Sequence, residues 1–122
     1  MTTSEYASLV AAAAAGTINY TQYSQTISQI TDQERQYGTF YFNGSKSWVT
    51  VTYAGYTGDH FCTLDYAVGF TASLTNCSDN AWGGSGRFEQ MTWIMKPLGA
   101  PVSWSETFKV FLAANGGISY QN

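Results

Sequence analysis

This 122-residue chain has few charged side chains, with five Lys or Arg and eight Asp or Glu, which make 11% of the sequence and a net charge of −3. An average soluble domain carries about 25% charged residues. Disordered chains are rich in charge and poor in aromatic residues, so the 16% aromatic content excludes disorder here. The basic residues are scattered singly, and without a basic patch no nucleic-acid partner is expected.

The sequence also has no long apolar run. The longest, Leu9–Ala15, spans seven residues, whereas a helix that crosses a bilayer needs about 20. Residues Met1–Tyr6 have neither the basic nor the apolar region of a signal peptide. We therefore expect no transmembrane segment and no visible leader, and the length predicts a single domain over residues 1–122.

Histidine and cysteine, which serve many catalytic and metal sites, are scarce. His60 is the only histidine, next to Asp59 and two residues before Cys62. Residues i and i+2 of a strand lie about 6.5 Å apart, which is a loose fit for a Cys–His pair. The positions of His60, Cys62 and Cys77 match no structural zinc spacing. No phosphate loop or serine elbow is present, so we predict no catalytic residue, metal or cofactor.

The first third of the chain is predicted to be helical. Thr2 and Glu5 have the spacing of a capping box, and the alanines that follow favour a helix up to Gly16. A second helix is predicted over about residues 19–38. Its apolar stripe consists of Tyr23, Ile27, Ile30 and Tyr37.

From Thr39 onward the hydrophobic period changes to two, which is typical of strands. Asn43 and Gly44 predict a two-residue hairpin turn that pairs Phe42 with Ser45. Apolar and polar residues alternate over residues 60–74, which predicts one long strand there, followed by a loop over residues 76–86. Two further strands are predicted. Their apolar residues are Met91, Trp93 and Met95 in one, and Val102, Trp104, Phe108, Val110 and Leu112 in the other.

The two cysteines test the long strand. A disulfide requires Cα atoms within about 7 Å, and a continuous strand over residues 60–74 would carry Cys77 far beyond that distance from Cys62. The strand and the disulfide exclude each other unless the chain doubles back at Gly69. We favour the strand and predict free thiols.

Helices followed by strands indicate the α+β class. We predict an N-terminal helical hairpin over residues 1–38 and an antiparallel sheet of about five strands over residues 39–122. The alternative is a β-sandwich with an N-terminal helical extension.

Aromatic residues are abundant, with four Trp, nine Tyr and seven Phe. Exposed aromatic residues and uncharged strands suit contacts between subunits, and a low net charge weakens repulsion between them. We expect a non-enzymatic structural subunit that forms a homo-oligomer or a larger assembly, such as a virion or an appendage. A virion or extracellular particle is favoured over the cytoplasm.

The alternative function is a lectin-like module that binds a glycan or another small ligand, because sugar rings stack on exposed Trp and Tyr side chains. Both functions use the same candidate residues. The candidate contact or glycan-stacking residues are Trp48, Tyr53, Tyr56, Asp59, Asp79, Asn80 and Trp82.

Residues Asn43–Asp59 read NGSKSWVTVTYAGYTGD. This segment resembles part of the actinoporin-like pore formers, a family that also has an N-terminal helix. The resemblance covers 17 residues and implies a third function, membrane activity, without assigning a role to any single residue.

Overall fold

The structure, a computed structural model, describes residues 17–122. In this part of the chain all regular secondary structure is β-strand. The strands are β1 (Asn19–Ser28), β2 (Asp32–Phe42), β3 (Ser47–Trp48), β4 (Asp59–Ala67), β5 (Phe70–Trp82), β6 (Gly86–Pro97), β7 (Trp104–Leu112) and β8 (Ile118–Gln121). The predicted α+β class is therefore wrong, because these residues form an all-β fold. The first predicted helix, over residues 2–16, lies outside the described residues.

The strands form two four-stranded antiparallel sheets that pack face to face. In the first sheet β2 pairs with β1 on one side and with β3 and β4 on the other. The second sheet has the order β5-β6-β7-β8. Phe40 of the first sheet belongs to the same core cluster as Val110 and Leu112 of the second, and Ile27 packs against a cluster that contains Trp93. The core is thus the layer between the two sheets.

The second predicted helix is wrong, because residues 19–38 form most of the β1–β2 hairpin. The hydrophobic pattern of this segment predicted a helix because several inward residues of β2 are polar. Buried and exposed residues alternate along the strand, but apolar and polar residues do not. Every second residue from Asp32 to Phe40 is buried, including Glu34 and Gln36. The alternative prediction, a β-sandwich with an N-terminal helical extension, is wrong about a helix over residues 19–38 for the same reason.

The predicted strand over residues 60–74 is also wrong. The chain turns at Val68 and Gly69, where Gly69 has the left-handed φ of 76° that glycine adopts without strain. It leaves the first sheet as β4 and enters the second as β5, which continues through residues 76–82, where a loop was predicted. This reversal brings Cys62 and Cys77 together in a disulfide, so the prediction of free thiols is wrong as well.

The hairpin at Asn43 exists but has a longer turn than predicted. Phe42 pairs with Ser47 and not with Ser45. The Asn43 side chain explains the difference, since its Oδ1 accepts hydrogen bonds of 2.9 Å from the backbone N–H groups of Ser45 and Lys46. The predicted strands around residues 87–96 and 102–112 are present as β6 and β7. Of their predicted apolar residues, Met91, Trp93, Met95, Phe108, Val110 and Leu112 are buried. Val102 and Trp104 are exposed, because Val102 precedes β7 and Trp104 is its first residue, so the prediction is wrong for these two.

Candidate functional site

The connections between strands lie at two opposite ends of the sandwich. Residues 29–31, 68–69 and 98–103 join strands at one end, which we call the apolar end. Residues 43–46, 49–58, 83–85 and 113–117 lie at the other, which we call the aromatic end.

Backbone hydrogen bonds hold the three connections of the apolar end side by side. The N–H of Val68 donates to the carbonyl of Thr31 at 2.7 Å, and the N–H of Leu98 donates to the carbonyl of Gly69 at 3.0 Å. Each connection presents an aliphatic side chain to solvent: Ile30 is 100% exposed, and Val68 and Leu98 are each 67% exposed. Three exposed aliphatic side chains from separate parts of the chain therefore lie on neighbouring connections at the same end.

Aromatic residues lie beside these three connections. Trp104 is partly exposed and packs edge-on against Phe70 with ring centroids 5.8 Å apart. Tyr66 donates a hydrogen bond of 2.8 Å to the carbonyl of Gln29. None of the residues in the three connections is charged. The apolar end is thus an exposed apolar patch without charges of its own, a kind of patch that marks contact surfaces.

The aromatic end brings together three of the predicted site residues. Trp48 is 1% exposed, its ring stacks on Tyr41 with centroids 5.9 Å apart, and its Nε1–H donates to the carbonyl of Tyr56 at 3.0 Å. Tyr53 contacts Trp48 edge-on, and the Lys46 Nζ lies 3.4 Å from the centroid of the Tyr53 ring. The buried Trp48 packs this end and does not offer a face to a ligand.

The four remaining predicted residues do not join that cluster as one site. Asp79 accepts hydrogen bonds from the Thr50 hydroxyl at 2.6 Å and from Arg87 Nε at 2.9 Å. Asn80 donates to a neighbouring Ser78 hydroxyl of its own strand. Trp82 is half exposed beside Phe111, with ring centroids 4.9 Å apart.

The sequence-based prediction missed a cleft of 430 Å³ that includes the predicted residue Asp59. It lies on the outer face of the first sheet, where the register aligns residues from β1, β2 and β4. The outward residues of these strands that line it are Gln22, Ser24, Arg35, Tyr37, Thr39, Asp59 and Phe61, and Tyr120 of β8 lines it as well. The alternation of Arg35, Tyr37 and Thr39 is the signal that would have found it, had this segment been recognised as a strand.

Two acidic pairs lie inside the sandwich. Burial, together with the hydrogen bond to Asp79 and the charge of Asp79, raises the pKa of Glu89 to about 10. Burial likewise raises the pKa of Glu34 to about 8, with Asp32 beside it. If Glu89 and Glu34 were ionised, their buried oxygens would have no hydrogen-bond donor among residues 17–122. Each is therefore neutral at neutral pH and can donate its proton to the adjacent aspartate.

His60 also points inward. Its Nδ1 lies 2.8 Å from the Tyr23 hydroxyl and its Nε2 lies 3.6 Å from Cys62 Sγ, and burial lowers its pKa. The ligand atoms of His60, Cys62 and Cys77 lie within 4.8 Å of one another. Both sulfurs belong to the disulfide, however, and a metal ion binds cysteine as the thiolate.

The comparisons with known proteins assign no family, so a function has to be proposed from the geometry of the described residues. Among residues 17–122 there is no helix with the length and apolar character needed to cross a membrane. Comparison of the chain with protein-family models, with curated proteins and with solved structures finds no match.

Proposed function

We propose that this chain is a non-enzymatic structural subunit that assembles with further copies of itself, and that the apolar end is a contact surface in the assembly. The single observation that supports this proposal is the exposure of Ile30, Val68 and Leu98 on three connections that backbone hydrogen bonds hold side by side. Scattered exposed aliphatic residues are normal, whereas a contiguous apolar patch is uncommon on a monomer. Burying one such side chain fully contributes about 1.5–3 kcal/mol.

We infer a second contact surface at the edge strand β1. It forms one edge of the first sheet among the described residues, and none of its ten residues is charged. Natural proteins commonly protect an edge strand with charged residues, because its open backbone groups can pair with a strand of another chain. The net charge of −3 adds little repulsion between copies.

A virion or an extracellular appendage is the kind of assembly we propose. The Cys62–Cys77 disulfide supports this location, because disulfides form and persist in oxidising compartments and are rare in the cytosol.

Light scattering coupled to size exclusion tests the proposal at several protein concentrations. We expect a mass above that of the monomer, and we expect Ile30→Glu combined with Leu98→Glu to lower it, because both side chains are exposed and the charges oppose burial. Val51→Glu is the matched control, since Val51 is also exposed but lies at the aromatic end. A monomeric parent protein, or an unchanged mass for the double variant, contradicts the proposal.

The same variants separate assembly from membrane activity, the third function suggested by the sequence. A monomeric parent protein that floats with anionic phospholipid vesicles, and a double variant that does not, would replace self-assembly with membrane binding at the apolar end.

A further inference from the structure

We propose that the cleft on the outer face of the first sheet binds a neutral saccharide, with Tyr37 and Phe61 as its apolar floor. Its volume of 430 Å³ falls in the range of about 300–1,000 Å³ that small-molecule sites occupy. The site is distinct from the apolar end, so this proposal does not depend on self-assembly.

Tyr37 and Phe61 are cross-strand neighbours on β2 and β4. Their ring centroids lie 5.5 Å apart with the planes tilted by 36°, and Phe61 is 48% exposed. The two rings form an apolar area on the outer face of the first sheet. A pyranose ring has the matching shape, because one face presents C–H groups and its rim presents hydroxyl groups. Aromatic faces accept the C–H groups by dispersion and electrostatic attraction.

Polar side chains flank the two rings on the same face. Thr39 pairs with Gln22 on one side and with Asp59 on the other, which forms a polar row next to Tyr37 and Phe61. The Gln22 amide can donate and accept hydrogen bonds, and the Asp59 carboxylate accepts them. Adjacent sugar hydroxyls need both kinds of partner, so this row fits the rim of a saccharide.

Arg35 lies on the opposite side of the aromatic pair and favours a neutral saccharide over an acidic one. Its guanidinium carbon lies 4.9 Å from the centroid of the Tyr37 ring, and its Nη2 lies 3.3 Å from Asp65 Oδ1. The ion pair with Asp65 offsets the positive charge of Arg35, which binding of an acidic sugar would require. The remaining N–H groups of the guanidinium still suit sugar hydroxyls.

The strands fix the position of this site. Gly38 lies against the backbone of Asp59, where a Cβ atom would overlap the carbonyl oxygen of Asp59. The Asp59 Oδ1 also accepts a hydrogen bond of 2.8 Å from the backbone N–H of Thr39. The cleft is thus formed in advance by sheet residues, which lowers the ordering cost of binding.

Saturation-transfer NMR tests the proposal with the methyl glycosides of glucose, galactose, mannose and N-acetylglucosamine. Each glycoside is used at about 10 mM, a concentration at which weak binding is detected. We expect saturation to pass from protein aromatic protons to the C–H protons of at least one glycoside. We expect Phe61→Ala to abolish this transfer and Gln22→Ala to weaken binding about fivefold through the loss of a hydrogen bond. Trp82→Ala is the matched control, because it removes a half-exposed aromatic residue at the aromatic end.

The proposal is overturned if none of the four glycosides receives saturation from the parent protein, or if Phe61→Ala leaves the transfer unchanged. Loss of transfer in Trp82→Ala alone would move the site to the aromatic end and overturn it too. The amide spectrum of each variant verifies the fold. Phe61→Ala should keep the mass of the parent protein in light scattering, so failure of this proposal is distinguishable from failure of self-assembly.

Discussion

The disulfide between Cys62 and Cys77 joins β4 of the first sheet to β5 of the second, with the Cα atoms 6.0 Å apart. These two strands pair with β2 and β6, so the disulfide is a covalent link between the sheets at this side of the sandwich. On the opposite side the link is made by hydrogen bonds, where Gln25 Nε2 donates to Asn122 Oδ1 at 2.7 Å. The two sides should therefore differ in their response to a reducing agent.

The first prediction concerns the removal of this link. The cysteines are 15 residues apart in the sequence. A disulfide that closes a loop of that size stabilises the folded state by about 3 kcal/mol, because it lowers the entropy of the unfolded chain. We expect Cys62→Ser combined with Cys77→Ser to lower the free energy of unfolding in urea by about that amount. Equal midpoints and slopes for the parent protein and the double variant would contradict it. Under non-reducing conditions the parent protein should weigh about 2 Da less than after reduction.

The second prediction concerns pH. The unfolded chain releases the Glu89 proton near pH 4.5, whereas the folded protein holds it up to about pH 10. Between these values the folded state binds more protons, so its stability falls as the pH rises. Glu34 has a similar effect and also lowers the stability as the pH rises, up to about pH 8. We expect the melting temperature to be higher at pH 5 than at pH 9 by more than about 5 °C.

Substitution separates Glu89 from other groups that titrate in this range. Glu89→Gln cannot ionise, and its amide can still donate to Asp79, so we expect a flatter dependence on pH and a higher melting temperature at pH 9. Asp65→Asn is the control, because Asp65 lies in a surface ion pair with Arg35. If Glu89→Gln keeps the full slope, Glu89 is not the neutral buried acid described here.

The extent to which the sequence predicts this fold depends on the chemistry of each inner face. Strands β6 and β7 were predictable because their inward residues, such as Met91 and Val110, are apolar. Strand β2 was not, because it buries Glu34 and Gln36. The Gln36 amide lies 2.7 Å from the side-chain oxygen of Gln25 and donates to it, a partner that a local pattern does not contain. The cleft was hidden for the same reason, since it depends on the register of three strands.

The third prediction concerns the close approach of β2 and β4. A Cβ atom on Gly38 would overlap the backbone oxygen of Asp59 and lie 2.7 Å from the Tyr23 hydroxyl. Gly38→Ala must push the two strands apart, and we expect it to lower the free energy of unfolding by about 3 kcal/mol. Gly84→Ala is the control, with open space around the added atom and an expected change within about 0.5 kcal/mol. Similar urea midpoints for the two variants would contradict this packing.

The last prediction concerns the tight turn between Tyr53 and Tyr56, whose backbones exchange two hydrogen bonds of 2.9 and 3.0 Å. Ala54 and Gly55 form the turn with φ angles of 55° and 87°, as a type I′ turn requires at both central positions. Ala54 is the one non-glycine residue with a positive φ in residues 17–122.

A left-handed conformation costs an L-residue about 1–2 kcal/mol, whereas glycine adopts it freely at a smaller entropic cost. We therefore expect Ala54→Gly to raise the free energy of unfolding by up to about 1 kcal/mol, and Gly55→Ala to lower it by about 1–2 kcal/mol. Ala81→Gly in β5 is the control and should lower stability by about 0.5–1 kcal/mol, the usual effect of glycine in a strand. Urea unfolding of the three variants measures these signs, and a loss of stability in Ala54→Gly as large as that in Ala81→Gly would contradict a strained Ala54.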